Sequence, residues 1–489
     1  MLYIKLSSTQ FLITSIFSAV FCALNLGLSL IAVINTIKSK QRQVMQSKFW
    51  MQILYATYSI FVISMIILLF QLATNWAPLA GILGSTLGPI LSIITLTMLT
   101  IEALLIMTKI HQENKKLIWA IFILMHVLLW MIICAQNLLY NPSGIEFDYI
   151  NNYTKIISFK QIIFNQSILQ NFLYALLLSY LTCAIFIMSV SAYFFLKNKH
   201  IVFAINATKV SVIIGLACSI IMISNLENVD TINAKQTIAL HSLRINNGMQ
   251  ALQAMRNLKK EYTQSEKEIF LMHKHDIPYA LLVAQLQPTE RLIGTSFETI
   301  LPSVEEISQE TIANTAREMI PNINFINTIN KIMKTFLATL TCLFSLLFFL
   351  LLRKKLAQSK NILKICITSL PLPVLLILFS ILKDELLHAN WAVFNMIPTH
   401  LIASKLKEVS IQTSLCGLIL FLIAALIMIA ARIMNIINTG PLPQTSANKI
   451  FNHKTFNSKA IYSAQIKSRA VLKKLNAKKL LQKSKNRSR

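Results

Sequence analysis

The sequence predicts an all-α integral membrane protein: a nine-transmembrane-helix bundle with an extracytoplasmic loop domain after helix six. Three observations predict it. Nine apolar stretches run through the 489 residues, most of them close to the roughly 20 residues that a 30 Å hydrocarbon core requires. Lys and Arg gather in every second gap between the stretches, as they do in cytoplasmic loops. The chain is 55% hydrophobic and only 13% charged, with ten Gly and twelve Pro, which excludes a soluble domain, a collagen-like chain and a disordered one.

In order, the stretches are Phe11–Ile34, Trp50–Leu72, Pro89–Met107, Leu117–Ala135, Phe172–Leu196, Val202–Ile223, Met333–Leu352, Ile362–Leu382 and Ser414–Ile436. The first is too long for the apolar core of a signal peptide and has no small-residue cleavage site, so it reads as a retained helix. Gap one holds Lys38, Lys40, Arg42 and Lys48, and gap two, Ala73–Gly88, holds no basic residue. Gap three holds Lys109, Lys115 and Lys116, and gap four is balanced, with Glu146 and Asp148 against Lys155 and Lys160. Gap five holds Lys197 and Lys199, and gap seven Arg353, Lys354, Lys355 and Lys360. Gaps six and eight are mixed. The odd gaps and the tail are therefore expected in the cytoplasm and the N-terminus outside, in a multi-pass protein of a bacterial-type inner membrane.

Four regions follow: 1–223 with six helices, 224–331 as an extracytoplasmic cap, 332–440 with three helices, and 441–489 as a basic cytoplasmic tail. Within the cap, Asp230–Tyr262 reads as an amphipathic helix and Pro278, Pro288, Pro302 and Pro321 punctuate the rest. His273, Lys274, His275 and Asp276 form a polar cluster there, read as a solvated turn because their spacing is not that of a metal site. All seven Cys fall in apolar stretches, as small hydrophobes rather than as a disulfide or zinc framework. Net charge is +27, and from Lys449 the chain carries only positive charges. In a membrane protein that tail is expected to lie on anionic lipid, with Ala470–Lys483 as an amphipathic helix, rather than on nucleic acid.

Local patterns carry a resemblance. They are Gln10-Phe11 with Leu26-Gly27-Leu28-Ser29 in helix one, and Gln71 with Thr74-Asn75-Trp76 after helix two. Asn141-Pro142, Gly144 and Phe147 follow helix four, and Arg244, Asn247-Gly248-Met249 and Ala251 lie in gap six. Pro371-Leu372-Pro373, Glu385, Trp391 and Pro398-Thr399 belong to helix eight and the segment after it. Their order, spacing and topology resemble subunit I of the cytochrome bd-type quinol oxidases over roughly residues 1–440. The resemblance implies haem cofactors, a quinol loop after helix six, a respiratory role in electron transport, and a second multi-helix membrane subunit. The small residues Ala175, Ser179, Ala184, Ser189 and Ala192 of helix five offer a face for that partner.

Carried over residue by residue, the family's ligand set mostly falls on other residues. Its first-helix haem-ligand His falls at Ser18, its helix-five His at Tyr174 and its ligand Glu after the GRQPW motif at Asn395. The first helix-three Glu falls at Ile94, while the Met opposite the helix-five His is retained as Met333 and the second helix-three Glu as Glu102. The GRQPW motif itself reads Leu387-His388-Ala389-Asn390-Trp391. The family uses the Glu102 position in a proton path, and an intramembrane carboxylate is in any case a candidate functional residue. A snorkelling Glu102 is the structural alternative, since Lys109 and His111 follow it. His126, the one intramembrane His, is expected to be hydrogen-bonded within the bundle rather than a cofactor ligand. The sequence thus points to a divergent subunit I, haem absent or incomplete, impaired or non-catalytic, with doubtful quinol binding. A structural or regulatory membrane subunit is the alternative. A transporter ranks third, for want of an inverted repeat.

Overall fold

In lipid every backbone polar group must be satisfied within its own segment, so an apolar chain of this kind crosses as helices. The computed structural model describes residues 2–37, 41–110, 114–148, 153–224, 323–388, 391–394, 397–404 and 406–441. Among them are nine helices long and apolar enough to cross a membrane. They are Leu2–Ile37, Ser47–Asn75, Ala77–Ile110, Lys115–Tyr140, Phe159–Leu196, Ile201–Ser224, Phe325–Leu352, Lys360–Leu387 and Glu408–Thr439, here spans one to nine. The cap between spans six and seven, the tail after 441 and Asn395 lie outside the described residues. So do the expectations for the Asp230–Tyr262 and Ala470–Lys483 helices, the Arg244 stretch and the His273 cluster.

Polar side chains inside the spans are satisfied locally. Hydroxyls donate back to the carbonyl of the preceding turn, as Thr14 does to Gln10 at 2.9 Å, Thr182 to Leu178 at 2.7 Å and Ser191 to Ile187 at 2.8 Å. Longer contacts confirm that the spans alternate in direction. Gln10, Asn75 and Ser414 meet at one end; Tyr193 and Asn438 meet at the other.

Hydropathy underestimates several spans. Gap two is not a loop: span three starts at Ala77, carries Pro89 inside it, and is joined to span two through the single residue Trp76. The Ala77 N–H, left without an intrahelical acceptor, donates to the Ser404 hydroxyl at 3.2 Å, and Ser404 N–H donates to the Asn75 carbonyl at 2.9 Å. Span seven is helical from Ile323 rather than Met333. Span eight consists of Lys360–Thr368 and Pro371–Leu387. It breaks ahead of Pro371 because proline has no N–H to give and its ring crowds the preceding turn.

Two short hairpins lie outside the helices. Strand β1, Ile145–Asp148, pairs antiparallel with β2, Tyr153–Ile156, in the register Ile145↔Ile156. Strands β3, Trp391–Val393, and β4, Ile397–Pro398, form the second. Gly144 enters the first hairpin at φ +76, where a Cβ would lie 2.5 Å from the Ser158 carbonyl oxygen. Its own carbonyl accepts from Ile157 and Ser158 at 2.9 and 3.1 Å. The Asn141–Phe147 motif thus builds a turn that only glycine fits.

The expectation that small residues of span five face a partner subunit is corrected by the packing. Ser179, Ala184, Ser189 and Ala192 are buried inside this chain. Ser189 donates to the Cys366 carbonyl of span eight at 2.7 Å, and Ser211 of span six donates to the Ala184 carbonyl at 3.0 Å. Beside them, Gly27 of span one lies against Cys183 so closely that a Cβ would overlap it. Small residues let helices approach, and here the helices are the chain's own. Span nine is the opposite case, with Leu420, Phe421, Ile423, Ile427 and Met428 exposed.

At the end where spans five, six and nine meet, His200 sits at φ 48 between spans. Its ring packs against Gly440, which adopts φ +73 and where a Cβ would collide with Nε2. Burial, and then the neighbouring Lys199, hold His200 below its ordinary value of 6.5.

Candidate functional site

At the end of the bundle that carries the N-terminus, a buried chain of donors links three spans. Gln71 Nε2 donates to Thr14 Oγ1 at 2.9 Å, and that hydroxyl donates to the Gln10 carbonyl at 2.9 Å. Asn75 Nδ2 donates to Gln10 Oε1 at 2.9 Å, and Gln10 Nε2 donates to Ser414 Oγ of span nine at 3.4 Å. Gln10, Thr14, Gln71 and Asn75 are all buried, where an unmade bond costs more than a made one contributes. The network locks the outer turns of spans one, two and nine. Motif reading had singled out Gln10, Gln71 and Asn75 but had not paired them. Thr14 and Ser414 carried no signal, since a lone hydroxyl in an apolar run looks like any back-bonded one.

Beside it, spans four and eight share a second cluster. Tyr140 Oη donates to Glu385 Oε1 at 2.7 Å. The Tyr140 ring stacks on His388 with centroids 4.3 Å apart and an interplanar angle of 7°. His388 Nδ1 donates to the Asp384 carbonyl at 2.7 Å, and Phe394 meets the imidazole edge-on at 5.0 Å. Phe394 N–H donates to the Leu139 carbonyl at 2.8 Å, tying β3 to the end of span four. Glu385, one of the residues that carry the resemblance, thus has a specific partner. Tyr140 and His388 were missed as a pair because they lie in distant segments.

Four described residues stand where the resemblance places the family's ligands. Ser18 and Ile94 are buried at 3% and 2% exposure, and Met333 is fully buried in the core. Tyr174 is half-buried against the same core. A haem iron is held by imidazole, thioether, thiolate or, in catalase, phenolate. Serine and isoleucine supply none of these, and the thioether of Met333 is a single donor. His126 has both nitrogens engaged: Nδ1 donates to the Phe122 carbonyl at 2.7 Å and Nε2 accepts from Tyr180 Oη at 2.7 Å. No group of three or more His, Cys, Asp and Glu side chains converges among the described residues. Of the described positions, Ser18 and Ile94 thus offer iron no donor, while Met333 and Tyr174 each carry one.

Glu102 lies in span three, half-buried, with Oε2 fully buried and without a hydrogen-bond partner. Tyr58 of span two, fully buried, donates to the Met98 carbonyl one turn earlier on span three at 2.9 Å. A side-chain hydrogen bond joins the Glu102 carboxyl to Ser59 of span two, at the seam between spans two and three.

An α-helical, multi-pass membrane protein with polar networks tying its outer turns is the class that fold and site define. The sequence profile of cytochrome bd terminal oxidase subunit I matches residues 6–441, and the chain belongs to that family. It is 25% identical over 210 residues to subunit 1 of the cytochrome bd-II ubiquinol oxidase of Escherichia coli (strain K12), covering 40% of each chain. It is also 25% identical over 226 residues to subunit 1 of the cytochrome bd ubiquinol oxidase of Bacillus subtilis (strain 168), covering 44% of this chain and 48% of the relative. The chain thus matches less than half the length of these curated relatives. Its fold is similar to that of the bd oxidase from Geobacillus thermodenitrificans, with TM-score 0.64 at 15% identity over 90% of this chain and 99% of that one.

Proposed function

We propose that this protein is a divergent subunit I of a cytochrome bd-type complex in a bacterial inner membrane, with quinol oxidation and oxygen reduction impaired or absent. One observation carries the reading. The motif residues that build the scaffold, Gly144, Gln10, Gln71 and Asn75, are engaged as a scaffold needs, whereas Ser18 and Ile94 fill ligand positions with groups that hold no iron. The role left is that of a membrane partner: the chain pairs with a second multi-helix subunit and supports or regulates it. The region 224–331 is a shortened quinol loop on the outside with the N-terminus, quinol does not bind productively, and the tail from 441 lies on anionic lipid. Glu102 is what persists of a proton path.

The test is a pyridine-haemochrome assay on the purified chain. No stoichiometric haem is expected. One or more haems per chain would overturn the reading, and Met333 with Tyr174 or His126 is then the first pair to substitute. Purification in mild detergent tests the partner: a copurifying multi-helix subunit is expected, and a lone monomer counts against it. The transporter reading has no observation in its favour.

A further inference from the structure

At the end of the bundle opposite the N-terminus, spans two, three and nine line an open pocket of about 500 Å³. Three cations line it, Lys48, Lys109 and Arg432, one from each span, and among the described residues no carboxylate does. The remaining polar lining is made of uncharged groups: Gln52, Tyr55, Thr108, Asn435 and Thr439. Spacing explains the convergence. Lys48, Gln52 and Tyr55 recur at one-turn intervals on one face of span two. Arg432, Asn435 and Thr439 do the same on span nine, and Lys109 closes the last turn of span three.

Lys48, Lys109 and Arg432 are exposed, so water and salt screen part of their mutual repulsion, and an anion between them would remove the rest. The C-terminal carbonyls of spans three and nine offer only about half a charge each. A hydrophobic lining would serve mere packing better than three ammonium and guanidinium groups. Tyr55 Oη and Thr108 Oγ1 are 2.9 Å apart, and Thr108 donates to the Leu105 carbonyl at 2.8 Å, so the wall itself is ordered. Around it the chain is apolar and outward-facing: Ile106, Met107 and Ile110 of span three and Met428 and Met434 of span nine are exposed.

We infer that this pocket binds a phosphate group, with Arg432 as its forked donor and Lys48 and Lys109 as point charges. A guanidinium matches two phosphate oxygens at once, while an ammonium contributes charge without fixed direction. The apolar rim suits the acyl chains of a phospholipid whose headgroup fills the pocket, and a basic pocket between helix ends is how anionic headgroups are held. A free phosphate would use the same donors. None of its lining residues is one that the haem question concerns.

The experiment uses the full chain, with any subunit that copurifies, in nanodiscs. The triple variant K48Q/K109Q/R432Q is compared with wild type, and K48R/K109R/R432K serves as the charge-preserving control. Native mass spectrometry after delipidation counts retained anionic phospholipid, and thermal shift is read with phosphatidylglycerol, with phosphatidylcholine alone, and with inorganic phosphate added to phosphatidylcholine discs. Wild type and control are expected to retain anionic lipid, with the Gln variant at least about tenfold weaker. A shift with inorganic phosphate alone, lost in the Gln variant, assigns the site to free phosphate. Equal lipid retention and equal shifts in wild type and Gln variant overturn the inference, since the tail is present in all three. A Gln variant that does not fold is replaced by the single R432Q, held to the same criterion.

Discussion

The end of the bundle that carries the N-terminus and the middle of the spans differ in how their polar positions are filled. At that end, Gln10, Thr14, Gln71, Asn75 and Ser414 form one continuous set of hydrogen bonds, and Tyr140 binds Glu385. In the middle, Ser18, Ile94 and Met333 sit buried where the family resemblance places ligands. Side chains that hold helices together are judged by geometry, and losing one partner leaves the other stranded in a dry environment. Ligand positions are judged by the group they hold, and a small or apolar residue fits there only where no such group is bound. On the proposed function, the difference teaches that fold and chemistry in one membrane bundle can drift apart.

The sharpest break in the first region is Gly144→Val. A side chain there meets the Ser158 carbonyl and must adopt φ +76. The variant is expected to lose at least about 2 kcal/mol, seen as a lower melting temperature in detergent with early loss of protease protection in the β1–β2 hairpin. Asn75→Leu comes next. It leaves Gln10 Oε1 without its donor, and intramembrane hydrogen bonds of this kind are worth about 0.6 to 1.7 kcal/mol. Detergent melts of the single variant and of Asn75→Leu with Gln10→Leu would show the pair partly restored if the network is coupled. In the ligand layer, Met333→Leu conserves volume and is expected to cost less than about 1.5 kcal/mol, without changing the absorption spectrum. A spectral change in that variant would mean that the layer still holds a chromophore, and the contrast between the two regions would collapse.

The smallest expected effect concerns His200. Its folded value is depressed by burial and by Lys199, so the unfolded chain takes up the proton first. The stability it contributes is full above 6.5, the ordinary value, and is lost as pH falls below that toward the folded value. Melts at about pH 7.5 and about pH 5.5 should differ less in His200→Asn than in wild type. An equal difference would place the acid sensitivity elsewhere.

The span count and the alternation of the spans were legible in the sequence, because hydropathy and spacing are set by the bilayer itself. So was His126: a single intramembrane imidazole in an otherwise apolar run reads as a bundle residue, and it is one. Helix ends were less legible. Span three extends back to Ala77 through Gly81, Gly84 and Gly88, residues that read as loop but stay helical because Ser85 and Thr86 there hold Thr154 of β2. The face of span five was misread for a physical reason. Small residues mark close approach but not whose helix approaches, and Gly27, Ser211 and Cys366 of the same chain supply the answer. Glu385 could not be placed from sequence because its partner, Tyr140, lies in another span.

The single-residue turn at Trp76 bears on how the protein is made. Spans two and three have no loop to pause in, so they must leave the translocation machinery as one hairpin. The group that caps that hairpin, Ser404, lies just ahead of the last span. An early-inserted unit therefore waits, with an open N–H at Ala77, until nearly the whole chain has been synthesised. The late arrival of one serine makes assembly of the first half contingent on the second.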